Sequence, residues 1–192
     1  MPLILKDAED TMELGRILAE ALRGSSVRAI YLYADLGGGK TTLTRGLVSA
    51  LPGGENAEVA SPSFTLCNIY PTRPEVLHAD LYRLSEGASM PEEMEDMLED
   101  GNALLVLEWP QYLASQYHAA ERLEVHLAHA THESAKSEEK HEYVTALKTL
   151  DNADKSCKSF RLATLEAHGA TAKALLDMLM PRLERRFLPE QA

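Results

Sequence analysis

Apolar residues near the amino end recur at helical spacing. Leu14, Ile17, Leu18, Ala21 and Leu22 share one face, which predicts a helix over residues 10–22. Asp10 followed by Glu13 has the spacing of a capping box, and Gly24-Ser25-Ser26 ends the segment. The pattern then becomes continuous: an apolar strand over 27–33 feeds a glycine-rich turn. A helix over about 40–51 follows, broken by Pro52-Gly53-Gly54. Ser61-Pro62-Ser63-Phe64-Thr65-Leu66 opens a β-rich run to Tyr70, and Pro71-Thr72-Arg73-Pro74 makes a turn. Residues 76–84 read as a strand carrying His78 and Asp80, 90–98 as an acidic helix, and 103–108 as a buried strand stopped by Pro110. Strands over 123–128 and 160–166 come next. Gly169 then leads into a C-terminal helix placed at about 171–187, which Pro181 is expected to kink or end after Met180.

Strands alternating with helices imply an α/β layered sheet. Residues 130–158 change character, being rich in Ser, Lys, Glu, Asp and His. They read as an insertion, with a β-like stretch from Tyr143 to Leu150 suggesting a hairpin with mobile ends. The length of 192 residues suits one domain with a small appendage.

Composition narrows the function classes. With 45% apolar residues the chain is ordinary for a globular protein, and no apolar run approaches the roughly 20 residues that span a bilayer. Met1–Asp7 lacks a basic stretch followed by a long apolar one, so no secretory signal is expected. Cys67 and Cys157 match no metal or disulfide spacing and read as idle thiols in a reducing cytoplasm. The formal net charge of −11 argues against tight direct RNA binding, which needs clustered Lys and Arg, and would attract a basic protein partner.

The chemistry concentrates in residues 34–42, Ala34-Asp35-Leu36-Gly37-Gly38-Gly39-Lys40-Thr41-Thr42. This is G-x-x-x-x-G-K-[ST] with Ala34 in place of the first glycine, and it sits between a strand and a helix as a P-loop does. Small residues let backbone N–H groups turn around a phosphate, and the helix N-terminus adds a favourable dipole. Lys40 can reach β- and γ-phosphates and the Thr41 hydroxyl can ligate Mg²⁺. Glu108, at the end of an apolar strand, is the candidate metal-directing carboxylate. Asp80, also at a strand end, is a candidate metal or base residue, or a structural carboxylate facing Arg83. Ser61, Ser63 and Thr65 offer hydroxyls where switch segments contact the γ-phosphate and Mg²⁺. His126, His129 and His132 resemble a metal cluster, but period two puts His126 and His129 on opposite faces of a strand, so no metal site is expected there. Trp109 can pack near a nucleotide or belong to the core.

Four segments together resemble one family. Residues 34–42 are similar to a G-D-L-G-A-G-K-T-T loop and Ser61–Leu66 to S-P-T-[FY]-T-L. His78-Ala79-Asp80-Leu81-Tyr82-Arg83-Leu84 is similar to H-x-D-L-Y-R-L, and Leu107-Glu108-Trp109-Pro110 to V-E-W-P. Their order and spacing, over about residues 7–129, resemble the TsaE (YjeE-type) P-loop ATPases of bacterial tRNA threonylcarbamoyladenosine biosynthesis. The resemblance implies a three-layer α/β/α sandwich with a mixed central sheet. It implies ATP and Mg²⁺ at residues 36–42, with Leu36, Gly37, Gly38, Gly39, Lys40, Thr41 and Thr42 cradling the nucleotide. It further implies Thr41 and Glu108 on the metal, Asp80 supporting hydrolysis, Asp10-Thr11 near the base, and Arg161 as the arginine of the closing strand. TsaB and TsaD are the implied partners, with the ATPase serving repeated turnover. Ala34 for glycine and Ser63 for threonine are departures that keep the phosphate-facing glycines and the hydroxyl.

Three alternatives differ in kind. A GTPase would carry an N-K-x-D motif and, after the P-loop, a D-x-x-G switch; neither is here, and Asp80 is followed by Leu81-Tyr82-Arg83. A P-loop small-molecule kinase would carry an arginine-rich lid, whereas 130–158 is rich in Lys, Glu and His. A nucleotide-gated protein-binding module would hydrolyse slowly and act through its bound state.

Overall fold

Burial on both faces explains why the central strands read as continuous apolar runs. The computed structural model describes residues 2–99, 101–130 and 160–188. Its elements are β1 (Leu3–Leu5), α1 (Ala8–Arg23), β2 (Ala29–Tyr33), α2 (Lys40–Ser49), β3 (Cys67–Tyr70), β4 (Val76–Asp80), α3 (Glu92–Glu99), β5 (Leu104–Glu108), β6 (Arg122–Ala130), β7 (Phe160–His168) and α4 (Ala170–Phe187). Seven strands form one mixed sheet in the order β1-β7-β6-β2-β5-β4-β3. The central ladders β6·β2, β2·β5 and β5·β4 are parallel; β3, β7 and β1 add antiparallel edges.

Alternation sorts the strand residues onto two faces. Ile30 and Leu32 of β2 and Val106 of β5 join Leu14, Leu43, Leu47, Leu175 and Leu179 in one buried cluster beneath α1, α2 and α4. Ala29, Tyr31 and Leu107 turn the other way, to a second cluster with Met90, Met94 and Leu113 on the α3 side. The result is three layers with the sheet in the middle. Helices α1 and α2 cross at two glycines. A Cβ on Gly15 would collide with the Leu43 carbonyl, and one on Gly46 with the Met12 carbonyl. Only a hydrogen at those positions lets the backbones approach this closely.

Several expected boundaries shift for identifiable reasons. The N-cap of α1 is Asp7, not Asp10: the Asp7 carboxylate accepts Asp10 N–H at 2.8 Å. Asp10 and Glu13 therefore form no capping box, because the Asp10 carboxylate is turned to Lys6 N–H and Arg186. Ser61–Leu66 is turn and irregular chain, and the strand begins only at Cys67. β4 stops at Asp80 rather than Leu84. β1 was not expected. Its three residues are wholly buried and gain their partners from distant β7.

Pro181 does not end α4, which runs to Phe187. The proline ring is on the exposed side, while Leu179, Leu183 and Phe187 are buried. The carbonyl that loses its N–H partner therefore lies toward the outer side of the helix, and the apolar stripe keeps the helix seated. Ala130 ends β6 and faces Phe160 across the ladder. The remainder of the 130–158 stretch, including 143–150, lies outside the described residues.

Candidate functional site

Parallel β2, β4 and β5 end on the same side of the sheet, so the turns after them converge there. The turn after β2 is residues 34–39. Gly37 and Gly39 have φ of 74° and 106°, which residues with a Cβ avoid. The Ala34 methyl occupies the space beside Gly38, where an added Cβ would lie 2.6 Å from it. Alanine at the first P-loop position is thus accommodated by glycine at the fifth. Gly39 caps α2, whose first N–H groups have no intrahelical acceptor and are available to an anion.

Lys40, 5% exposed, lies at the centre. Its Nζ donates to the carbonyls of Ala34 at 2.9 Å and Asp35 at 3.2 Å, and stands 4.1 Å from the centre of the Trp109 ring. Burial lowers its pKa, opposed by Glu108, Asp80 and Asp35. Glu108 ends β5 and is buried. Its Oε1 accepts the Thr41 hydroxyl at 3.1 Å and lies 2.9 Å from His78 Nε2; its Oε2 is 4.0 Å from Lys40 Nζ. Thr41 and Glu108 thus present neighbouring hard oxygen donors, the type a Mg²⁺ ion takes.

Asp80 ends β4 one strand away, and its register partner is Glu108. It accepts Tyr82 N–H at 2.9 Å and the Ser61 hydroxyl at 3.4 Å. Burial pushes its carboxyl up, against the pull of the Tyr82 N–H. Leu66 and Trp109, on the two connections flanking these carboxylates, both adopt left-handed backbone with φ of 66° and 59°. Such conformations persist only where the surroundings hold them. These groups enclose a cavity of about 300 Å³ lined by Leu36–Thr42, Ser61, Ser63, Asp80, Tyr82, Glu108 and Trp109.

A family model described as "Threonylcarbamoyl adenosine biosynthesis protein TsaE" matches residues 5–139. The chain belongs to the TsaE family. A TsaE relative named for tRNA threonylcarbamoyladenosine biosynthesis, from Streptomyces coelicolor, is 35% identical over 138 residues, 70% of this chain and 89% of that one. TsaE proteins of Aquifex aeolicus and Nostoc are 43% and 47% identical over 43% of this chain, covering 62% and 49% of their own lengths. The crystal structure of YdiB from Bacillus subtilis superposes with a TM-score of 0.58 over 95% of both chains at 19% identity, so the two chains share a fold.

Within this TsaE-family frame, residues 36–42, Asp80 and Glu108 come together around one cavity. The other expected residues lie around it. Arg161 donates from Nε to the Gly38 carbonyl at 3.1 Å, behind the loop. Thr11 is buried, with its hydroxyl on the Asp7 carbonyl and its methyl near Gly39. The Asp10 carboxylate pairs with Arg186 at 2.8 Å. The Thr65 hydroxyl bonds Asn68 at 3.0 Å and does not line the cavity. His126 and His129 do part to opposite faces: His126 stacks on Tyr33, and His129 Nε2 lies 3.3 Å from the Gly37 carbonyl. His132 is outside the described residues.

Three features of the site were not read from the sequence: the His78 contact to Glu108, the Trp109 ring over Lys40, and the Arg186 clamp on Asp10. The first two lie inside motifs already singled out. The third joins residues 176 apart in the chain and carries no local signal.

Proposed function

We propose that the chain is a Mg²⁺-dependent ATPase needed to form threonylcarbamoyladenosine beside the anticodon of tRNA. It acts in the cytoplasm through TsaB and TsaD. The observation that carries the reading is the meeting of Lys40, Thr41 and Glu108 at the N-terminus of α2, with Thr41 Oγ1 and Glu108 Oε1 3.1 Å apart. In this reading the N–H groups of Gly37–Thr42 cradle the phosphates, and Lys40 exchanges its backbone carbonyl partners for phosphate oxygens. Thr41 and Glu108 hold Mg²⁺, which when bound neutralises charge on the β- and γ-phosphates. Asp80, already bonded to Ser61, orients the attacking water and the 61–65 segment. Thr11 and Arg161 lie against Gly39 and Gly38 of the loop, and the Asp10-Thr11 pair is placed near the base.

Adenine is favoured over guanine because no N-K-x-D motif is present. Calorimetry with ATP and GTP tests this directly, and equal or tighter GTP binding overturns the adenine assignment. Phosphate release with and without a TsaB–TsaD complex separates the ATPase from a nucleotide-gated binding module. An ATP-dependent pull-down of that complex tests the partner. Absence of capture in any nucleotide state, with ATP binding intact, overturns the partner assignment alone.

A further inference from the structure

We propose that Glu124, His126, Glu166 and His168 form a second cation site, for a borderline divalent ion of the zinc class, on the face of β6 and β7 turned away from α1. Glu124 and Glu166 are direct partners across the β6–β7 ladder. His126 and His168 each lie two residues from one of them, so all four share one face. Ligand atoms of Glu124, Glu166 and His168 fall within 4.8 Å of one another. His168 Nε2 is 3.3 Å from Glu124 Oε1, and His126 Nε2 is 3.7 Å from Glu124 Oε2. Zinc bonds of about 2.0–2.2 Å in a tetrahedral set space neighbouring ligand atoms roughly 3.3–3.6 Å apart.

The two imidazoles supply the deciding observation. Each side chain is 40% exposed, yet its Nε2 is shielded from solvent and makes no hydrogen bond. Both nitrogens are directed at the Glu124 carboxylate without hydrogen-bond geometry. A bound cation would use the His168 lone pair, take His126 as a fourth ligand once its ring shifts toward the other three, and offset the repulsion between two carboxylates placed directly opposite. Supporting contacts are in place. Tyr33 stacks on His126 with ring centres 4.4 Å apart, and Arg122 Nε holds Glu124 Oε1 at 2.7 Å. Such neighbours orient metal ligands in built sites. Glu124 is buried and Glu166 exposed, leaving one open side for entry. Two imidazoles and two carboxylates favour Zn²⁺ over Mg²⁺, unlike the all-oxygen pair of Thr41 and Glu108 on the other side of β2. The ion would clip β6 to β7, the two strands that flank residues 131–159.

The test is calorimetric titration of the full, chelator-treated chain with Zn²⁺, without nucleotide and with excess Mg²⁺. The expected result is one saturable equivalent with a rise in Tm. His126→Ala/His168→Ala should weaken that binding by at least about tenfold, while His129→Ala/His132→Ala should leave it unchanged. Co²⁺ substituted at the same site should give a visible absorption band that the first double variant abolishes. No stoichiometric Zn²⁺ binding by the wild-type chain overturns the proposal. So does binding that survives in His126→Ala/His168→Ala, with fold checked by circular dichroism.

Discussion

His78 Nε2 lies 2.9 Å from Glu108 Oε1, and the imidazole is completely buried. The same Oε1 also accepts the Thr41 hydroxyl, so one carboxylate oxygen is fixed from two sides. A carboxylate held this way needs little reordering to receive a cation. His78→Ala should lower Mg²⁺ affinity and turnover by about 10- to 100-fold, the usual range for a neighbour that orients a metal ligand. His78→Gln, which can still donate to Glu108, should recover part of the loss. Mg²⁺ dependence of phosphate release in the two variants checks this; equal rates in both variants and wild type remove His78 from the site's support.

Lys40→Ala removes a buried ammonium that is expected to move onto phosphate. A hydrogen bond to a charged group contributes about 1.5–3 kcal/mol, so ATP affinity should fall on the order of 10- to 100-fold. Titration calorimetry reads the change. Unaltered affinity would place the phosphates elsewhere.

Glu108→Ala should separate binding from turnover. Nucleotide should still bind in the loop, and phosphate release at saturating ATP should stop. Asp80→Ala should do the same. A wild-type rate in either variant takes that carboxylate out of the chemistry.

Asp80→Asn should stabilise the fold at neutral pH. Burial raises the Asp80 pKa, so between the unfolded and folded values the folded state holds more protons than the unfolded one. Wild-type stability therefore falls as pH rises through that window, and the full penalty applies above it. The asparagine can still accept Tyr82 N–H and carries no such penalty. Its Tm should exceed wild type by a few degrees at pH 7, shrinking toward zero as pH drops below the ordinary carboxylate range. A constant difference across pH would assign the effect to packing.

Gly46→Ala should destabilise by about 1–3 kcal/mol, as overpacking does, because its methyl meets the Met12 carbonyl where α1 crosses α2. Urea unfolding measures it. A loss under half a kilocalorie would mean that the helices separate more easily than their packing suggests.

The legible parts of this protein were those whose physics is local. The P-loop, the carboxylates ending β4 and β5, and the strand–helix alternation each announce themselves within about ten residues. What stayed hidden depends on distant partners. Leu3–Leu5 is too short to show a period and becomes a strand only by pairing with β7. Arg186 reaches Asp10 from the far end of the chain. Spacing along β6 sets His126 against His129, whereas the carboxylate nearest His126 is Glu124 on its own face, which His168 reaches from across the ladder on β7. Whether Pro181 kinks, ends or merely rides on its helix depends on which side of that helix faces out, which the residues around one proline do not say.

Ala130 and Phe160 face each other at the end of a ladder, so the described chain leaves the sheet and re-enters it at a single point. Loop closure grows only slowly with length, about 0.6 kcal/mol per doubling. That junction is therefore a natural splice site. A reporter or affinity module whose own termini lie close together, joined at Ala130 and Phe160, would meet two strand ends already in register on the sheet that carries the cavity.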